Sequence, residues 1–414
     1  MKRNKCKKGM EVNRKELIGS VDIGMTKHNG YFRSWDGEEV EPFPFDANRT
    51  GFQCFYKEMR AFMDAHDLES VVVGFESTGV YGAPLINFLK SKGVRLVQVN
   101  PMHTKRVKEL EGNSPNKTDR KDPRVIADIM MLGHTLSVVT PQGGVSELRN
   151  LVHARERSIA RRTVCYNQLH DLVYTIFPEF ISCMKHIDGA SARHLIRHHP
   201  TPEDIVRLGV EELNGVLRKV SRGRYGKGEA RALWEAAVTS VGVREGREAI
   251  LMEIRELLDQ IDQENTFVSH LEKRMEDCLS QVPSSTYLLS VKGFGVVTVG
   301  GLIGEVGDFS GYRKASEIIK FAGLNLYEIS SGIHKGKRRI TKRGRPLVRK
   351  LLYLAAMNMV RKNGIFHEPY QKMVKQGMPR LQALVAITRK LLRVAFALVR
   401  DQKEYSTSYR CQAA

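Results

Sequence analysis

Hydrophobic and polar positions recur in two different rhythms along this chain, and the change of rhythm divides it. Residues 16–24, ELIGSVDIG, form a short apolar run closed by Asp and Gly, the signature of a buried strand. HNGYFRSW and EEVEPFPF follow, with Asp36-Gly37 between them as a tight-turn signal, so three consecutive strands in a meander are predicted. Phe52, Phe55, Met59 and Phe62 then recur at helical spacing over 51–66. SVVVGFE (70–76) carries the continuous apolar run Val71 to Val73 expected of a strand covered on both faces. A helix near 80–91, a strand at 94–100 and a helix over 101–110 continue the alternation. After the loop EGNSPNKTDRKD, the stretch PRVIADIMMLGH reads as helix, with Pro123 suited to its first turn.

The order β-β-β-α-β-α-β-α is that of a ribonuclease-H-like domain. A doubly wound nucleotide-binding fold is the alternative, but no GxGxxG follows the first strand and the three opening strands lack crossover helices. From about 145 to 281 strand signals vanish and long helices take over. There Ile254, Leu257, Ile261, Val268, Leu271, Met275, Cys278 and Val282 form a heptad-like stripe, broken once by Glu264. Such a stripe suits a coiled coil or long packed hairpin, with a dimer contact as one use, and equally a helix buried against its own domain. The fold class expected is thus α/β plus α. It comprises a basic tail (1–15), the ribonuclease-H-like domain (16–144), a helical or coiled-coil connector (145–282), a mainly helical C-terminal domain (283–403) and a short tail (404–414).

Charge narrows the partner. Lys and Arg outnumber Asp and Glu by 66 to 46, a net +20, which points to a polyanion: nucleic acid or an acidic membrane surface. The membrane reading fails on length, since apolar stretches such as LLYLAAMNMV (351–360) reach about half of a span. The N-terminal MKRNKCKKGMEVNRK is basic but has no apolar segment or cleavage signal and reads as a solvated tail. Cysteines at 6, 54, 165, 183, 278 and 411 are too scattered for CxxC pairs or a disulfide framework, which suggests the reducing cytosol. His194 and His198 stand four apart, but with no Cys or carboxylate at a matching spacing they read as a surface helix face.

Against that basic background the carboxylates are informative. In the inferred fold, Asp22 of the first strand lies near the sheet's centre and Glu76 ends the next inner strand, while within NKTDRKD the last helix begins near Asp122 with Asp119 just before it. Crowded carboxylates raise one another's pKa unless a cation neutralises them, and Mg²⁺ or Mn²⁺ suits oxygen ligands. Lys117, Arg120 and Lys121 would then hold phosphates. Singly, each acid has a plainer reading, as a polar strand end, a helix cap or a lysine partner. Together we favour a metal site. Asp128, six residues past Asp122, points to another helix face and is left out.

The C-terminal domain adds two signals. SVKGFGVVTVGGL has the form of a helix-hairpin-helix, whose turn amides hold a phosphate without reading bases, or else of a tight packing turn. Within 335–350 lie Lys335, Lys337, Arg338, Arg339, Lys342, Arg343, Arg345, Arg349 and Lys350, with no acid between them, which suggests a loop gripping a phosphate backbone. Just upstream, Ser330-Ser331-Gly332 could supply a nucleophile, although Ser-Gly is also a common turn.

VDIG, FESTGVYGAPLINFLKSKG, VNPMHTKRV and KTDRKDPRVIADI, followed in order by SVKGFGVVTVGGLIGEVGDF, FAGL and SSG…KGKRRITKRGRPLVRKLLYLAA, resemble the DEDD-type transposases of bacterial insertion sequences. The resemblance covers roughly 17–140 and 284–357 and is one of helical character alone between them. It implies a RuvC-like domain with metal-binding Asp22, Glu76, Asp119 and Asp122, and a nucleophile at Ser331, with Ser330 beside it. It also implies a covalent phosphoserine link, a structured noncoding RNA that pairs with donor and target DNA, and a homo-oligomer that combines the acids of one subunit with the serine of another. A bacterial, cytoplasmic, nucleoid-associated recombinase is the expectation. The rivals are a metal-dependent junction-resolving nuclease in which water attacks, and a non-catalytic nucleic-acid-binding protein.

Overall fold

Alternate residues of the first strand face two different apolar layers, and that alternation builds the N-terminal sheet. The computed structural model describes residues 14–76, 79–111, 121–137, 143–307, 309, 311–328, 330–331, 334–335 and 338–406. The chain divides into two compact units, Met1–Val139 and Thr140–Ala414. In the first, β1 (Glu16–Ile23) is buried along nearly its whole length. Its Leu17, Val21 and Ile23 pack into a cluster with Phe52, Phe55, Leu85 and Leu89. Ile18, one position out of step, packs into the opposite cluster with Val125, Ile126 and Ile129. Each such burial is worth roughly 1.5–3 kcal/mol, and a one-residue slip would exchange the two sets, so the register is fixed.

β1 pairs antiparallel with β2 (Lys27–Arg33) and parallel with β4 (Ser70–Glu76), while β2 carries β3 (Phe43–Asp46) on its outer side. β5 (Arg95–Val99) adds in parallel to β4, and β6 (Thr135–Ser137) closes the far edge antiparallel, giving the order β3-β2-β1-β4-β5-β6. Helices α1 (Arg49–Ala65) and α2 (Ala83–Ser91) cover one face; α3 (Pro101–Glu111) and α4 (Lys121–Met131) cover the other. A meander extended by parallel strands through crossover helices fits the ribonuclease-H-like expectation. β6 was not anticipated: a strand this short shows no period, and its pairing with β5 is what makes it one.

The second unit is helical around a long hairpin. α5 (Gly143–Ile176) and α10 (Arg247–Ser280) run antiparallel, tied by Arg274 Nε to Glu147 Oε1 at 2.7 Å and Arg155 Nε to Glu272 Oε1 at 2.6 Å. At one end α6 (Pro178–Cys183), α7 (Ala190–His198), α8 (Pro202–Val220) and α9 (Lys227–Val238) enclose a core with Leu169, Val173, Ile254 and Ile261. At the other, Leu148, Val152, Met275 and Cys278 join the C-terminal core with Leu302, Leu351 and Leu391. That core holds α11 (Ser284–Leu289), α12 (Val296–Val306), α13 (Ala315–Phe321), α14 (Pro346–Met359) and α16 (Arg380–Asp401), with α15 (His367–Lys375) against it. The heptad-like stripe of α10 is therefore buried within the chain's own hairpin and its two end cores. Glu264, the break in that stripe, accepts from the buried Ser158 hydroxyl and, at 2.9 Å, from Arg161 Nη2. No helix among the described residues is long and apolar enough to cross a membrane. Most of the two basic or polar tails expected at 1–15 and 404–414 lies outside the described residues.

α12 packs closely because glycine lines it. A Cβ on Gly304 would lie 2.8 Å from the backbone N and Cα of Arg149, which cannot step aside. Gly304→Val should lower stability by about 1–3 kcal/mol, seen as a lower urea midpoint at unchanged slope. At Gly300 the nearest neighbour is the Leu148 side chain at 3.5 Å, so Gly300→Ala should leave the midpoint unchanged or raise it.

Candidate active site

The parity that sends Ile18 toward α4 sends Ser20 and Asp22 the same way, and on β4 it does so for Val72, Gly74 and Glu76. The parallel ladder between the two strands ends at Val21↔Phe75. One residue further, Asp22 and Glu76 stand side by side at the C-terminal ends of the strands, both half-buried. On the other flank of β1, Asn29 of β2 is the ladder partner of Asp22, a neighbour the sequence gave no reason to single out. Asp122 belongs to the first turn of α4 and is 9% exposed. The Ser20 hydroxyl donates to the Pro123 carbonyl at 2.6 Å, so the residue after Asp122 is bonded to the strand two residues before Asp22. Gly74, the partner of Ser20 on β4, lets the helix lie close, for a Cβ there would fall 2.1 Å from the Met130 sulfur.

Asp22 and Glu76 thus share one end of one sheet face, and Asp122 lies in the first turn of the helix that covers that face. Asp119, Lys117 and Arg120 lie outside the described residues, and Lys121 opens α4. Among the described residues, no three His, Cys, Asp or Glu side chains stand close enough to hold a metal ion. The donors at this edge are carboxylate oxygens, the type hard divalent ions take, so the residues fit such an ion in chemistry; Asp119 is the fourth acid that the sequence suggested. Asp128 is engaged elsewhere: it accepts from Arg33 Nη1 at 3.1 Å on β2. The His194 and His198 rings are tilted by 51° with centres 4.5 Å apart, and burial with the charges of neighbouring histidines and Lys219 lowers the His194 pKa.

The second unit carries the serine pair and the start of the basic run on a nested β-hairpin, where the sequence suggested a loop; Arg349 and Lys350 lie on α14. β7 (Leu326–Tyr327) pairs antiparallel with β10 (Arg339–Ile340), and inside them β8 (Ser330–Ser331) pairs with β9 (His334–Lys335). Ser331 sits opposite His334, at the last ladder pair before the tip; Gly332 and Lys337 lie outside the described residues. At the root, Thr341 N–H donates to Asn325 O at 2.8 Å and Arg345 N–H to Phe321 O at 2.9 Å. Close approach demands glycine there: a Cβ on Gly344 would fall 2.2 Å from Phe321 O.

The basic residues divide by place. Arg338, Arg339, Lys342 and Arg343 are exposed, with Arg338 paired to Glu328 at 2.8 Å. Arg345 turns inward, its guanidinium 5.5 Å over the Phe321 ring and its Nε 3.7 Å from Glu305 Oε2. Arg349 donates to the Ala322 carbonyl at 2.8 Å, and Lys350 pairs with Glu156. Glu305 itself was missed from sequence, although a lone carboxylate within the apolar, glycine-rich 296–306 was a usable signal. Its side chain is 3% exposed, 2.6 Å from His153 Nε2 and 3.7 Å from Arg149 Nε. Burial alone would raise its pKa; the His153 hydrogen bond and the charges of Arg149 and Arg345 outweigh burial and hold it below the ordinary carboxylate value. Upstream, α11 and α12 are joined by a short turn with Gly293 at φ 110° and Gly295 capping α12.

Residues 20–178 match the family model DEDD_Tnp_IS110, described as a transposase, and residues 285–371 match that of the transposase IS116/IS110/IS902 family. The 44.8 kDa protein of insertion element IS116 from Streptomyces clavuligerus is 26% identical over 345 residues, 83% of this chain and 86% of that one. The IS110 protein of Streptomyces coelicolor is 22% identical over 390 residues, 94% and 95% of the two chains. The IS900 protein of Mycobacterium paratuberculosis is 25% identical over 337 residues, 80% and 83% respectively.

Because the folded pKa of Glu305 is depressed, its stabilisation is present above the unfolded value of about 4.3 and lost as pH falls through the folded value. Glu305→Gln should cost about 1–3 kcal/mol at neutral pH. The gap to the parent should narrow below about pH 4 in urea melts across the acid range.

Proposed function

We propose a chemistry for this chain, which belongs to the family of DEDD-type insertion-sequence transposases and is a DNA transposase or recombinase: it cuts and rejoins strands through a phosphoserine link at Ser331. The observation that supports the reading is that Asp22 and Glu76 stand at the C-terminal ends of neighbouring strands, on the sheet face covered by α4, whose first turn carries Asp122. Asp22, Glu76, Asp119 and Asp122 would hold Mg²⁺ or Mn²⁺, which supplies charge stabilisation at phosphate oxygens and eases deprotonation of a hydroxyl. Ser331 Oγ attacks phosphorus; the Oγ–P bond forms, the bond to the leaving sugar oxygen breaks, and that oxygen takes up a proton. A sugar hydroxyl of the incoming strand then attacks the same phosphorus and the serine oxygen leaves. Each step trades one phosphoester for another, so the exchange balances without a high-energy co-substrate.

Exposed Arg338, Arg339, Lys342 and Arg343, with Lys335 and, from the sequence, Lys337, Lys117, Arg120 and Lys121, hold backbone phosphates in this reading. Arg345 serves from the hairpin root. The α11–α12 turn, with its glycines and the free amides opening α12, supports a helix-hairpin-helix-like phosphate contact. Phosphate contacts read no sequence, so a structured noncoding RNA that pairs with both DNA partners supplies the selection. Exchange between two duplexes needs more than one nucleophile, so the reading includes a homo-oligomer working on chromosomal DNA.

The test uses element ends, Mg²⁺ and the element's RNA, read on denaturing DNA and protein gels. Asp22→Asn, Glu76→Gln and Asp122→Asn should each lower cleavage on the order of a hundredfold, and chelation should abolish it. Ser331→Ala should remove the protein–DNA adduct. Cleavage without an adduct in the parent protein would replace the serine step by attack of water, and full cleavage by Asp22→Asn would remove the metal site.

A further inference from the structure

Ser20 is three residues from the end of a strand whose burial calls for apolar side chains, and it is wholly buried. On the α4 face of β1 the row runs Ile18, Ser20, Asp22, so the hydroxyl stands between the apolar layer and the acid. A buried hydroxyl without a partner costs about 1–3 kcal/mol, and this one is satisfied by a main-chain carbonyl 103 residues away, that of Pro123. Other polar ties hold α4 to different parts of the sheet. Arg124 pairs with Glu39 and Glu41, beyond the end of β2, and Asp128 pairs with Arg33 of β2 itself. Apolar packing of Val125, Ile126 and Ile129 fixes the helix height but is tolerant of sliding along the strand. The Ser20 bond is directional and ends on the strand that carries Asp22, one peptide from Asp122. Proline strengthens the link, because its ring fixes φ at the residue whose carbonyl is held.

We infer that Ser20 is a positioning residue for the acidic site: its hydroxyl sets where along β1 the first turn of α4 comes to rest, and so the separation of Asp122 from Asp22. The inference rests on the metal reading of those acids given above. A carboxylate set displaced along the strand still folds, but it meets a divalent ion with its donors out of place.

The experiment measures Mn²⁺ binding to the full chain by the loss of free-ion paramagnetic resonance signal, with thermal melting and Mg²⁺-dependent cleavage alongside. Ser20→Ala should bind Mn²⁺ about tenfold more weakly and need correspondingly more Mg²⁺ for half-maximal cleavage, with the rate largely recovered at saturating metal. Ser20→Cys, similar in size with a weaker donor, should fall between and carries the test if the alanine variant does not fold. Ile18→Val trims the same face and should lower the melting temperature with Mn²⁺ affinity unchanged. Parental Mn²⁺ affinity in both Ser20 variants, or an equal loss in Ile18→Val, would overturn the inference. Asp22→Asn separates the two levels: if it still binds Mn²⁺ like the parent, the metal reading fails, whatever Ser20 does.

Discussion

Two-sided burial of β1 is the constraint on which the N-terminal unit depends. A strand covered on one face can take a polar residue at every second position; a strand covered on both cannot, until its layers give out. On β1 they give out unequally. Toward α1 and α2 the apolar row persists to Ile23, whereas toward α4 it stops at Ile18 and hands over to Ser20 and Asp22. β4 ends in the same way, with Gly74 and Glu76 on the face where Val72 was apolar. The acids therefore occupy the first positions at which charge is affordable, beside the helix start that brings a third.

The second unit solves a different problem, that of fixing a hairpin with little apolar material of its own. Leu326 and Tyr327 are 42% and 41% exposed, so the strands contribute little burial. Position comes instead from the root: backbone hydrogen bonds, a glycine pressed against Phe321, and the Arg345 guanidinium, which reaches Glu305. A buried carboxylate with three cationic or hydrogen-bonding partners is costly to desolvate and costly to break, which makes it a specific anchor. The basic residues left outward on the hairpin face solvent from a fixed base.

What could be read from sequence follows what is local. The Val71–Val73 run, the 51–66 helix and the succession of strands and helices as far as α4 were legible because periodicity and turn residues encode them in neighbouring positions. So were Asp22 and Glu76 at the strand ends. The stripe of α10 was visible, but whether it faced another copy or its own chain depended on α5, far away in sequence. Two-residue strands such as β8 and β9 have no period to detect. Ser20 and Asn29 became meaningful only through register, since a serine in VDIG's approach and an asparagine in HNG look like ordinary strand and turn residues.

The paired helices α5 and α10 are each 34 residues long and have a separate apolar core at either end. At about 1.5 Å per residue they form a bar about 50 Å long, stiffened by ion pairs along its length. A bar of that reach is a lever: tilting one core by a few degrees sweeps the far one through several ångströms. A small tilt around the glycine-lined α12 would thus be magnified at the α6–α9 end without any residue in between having to change its contacts.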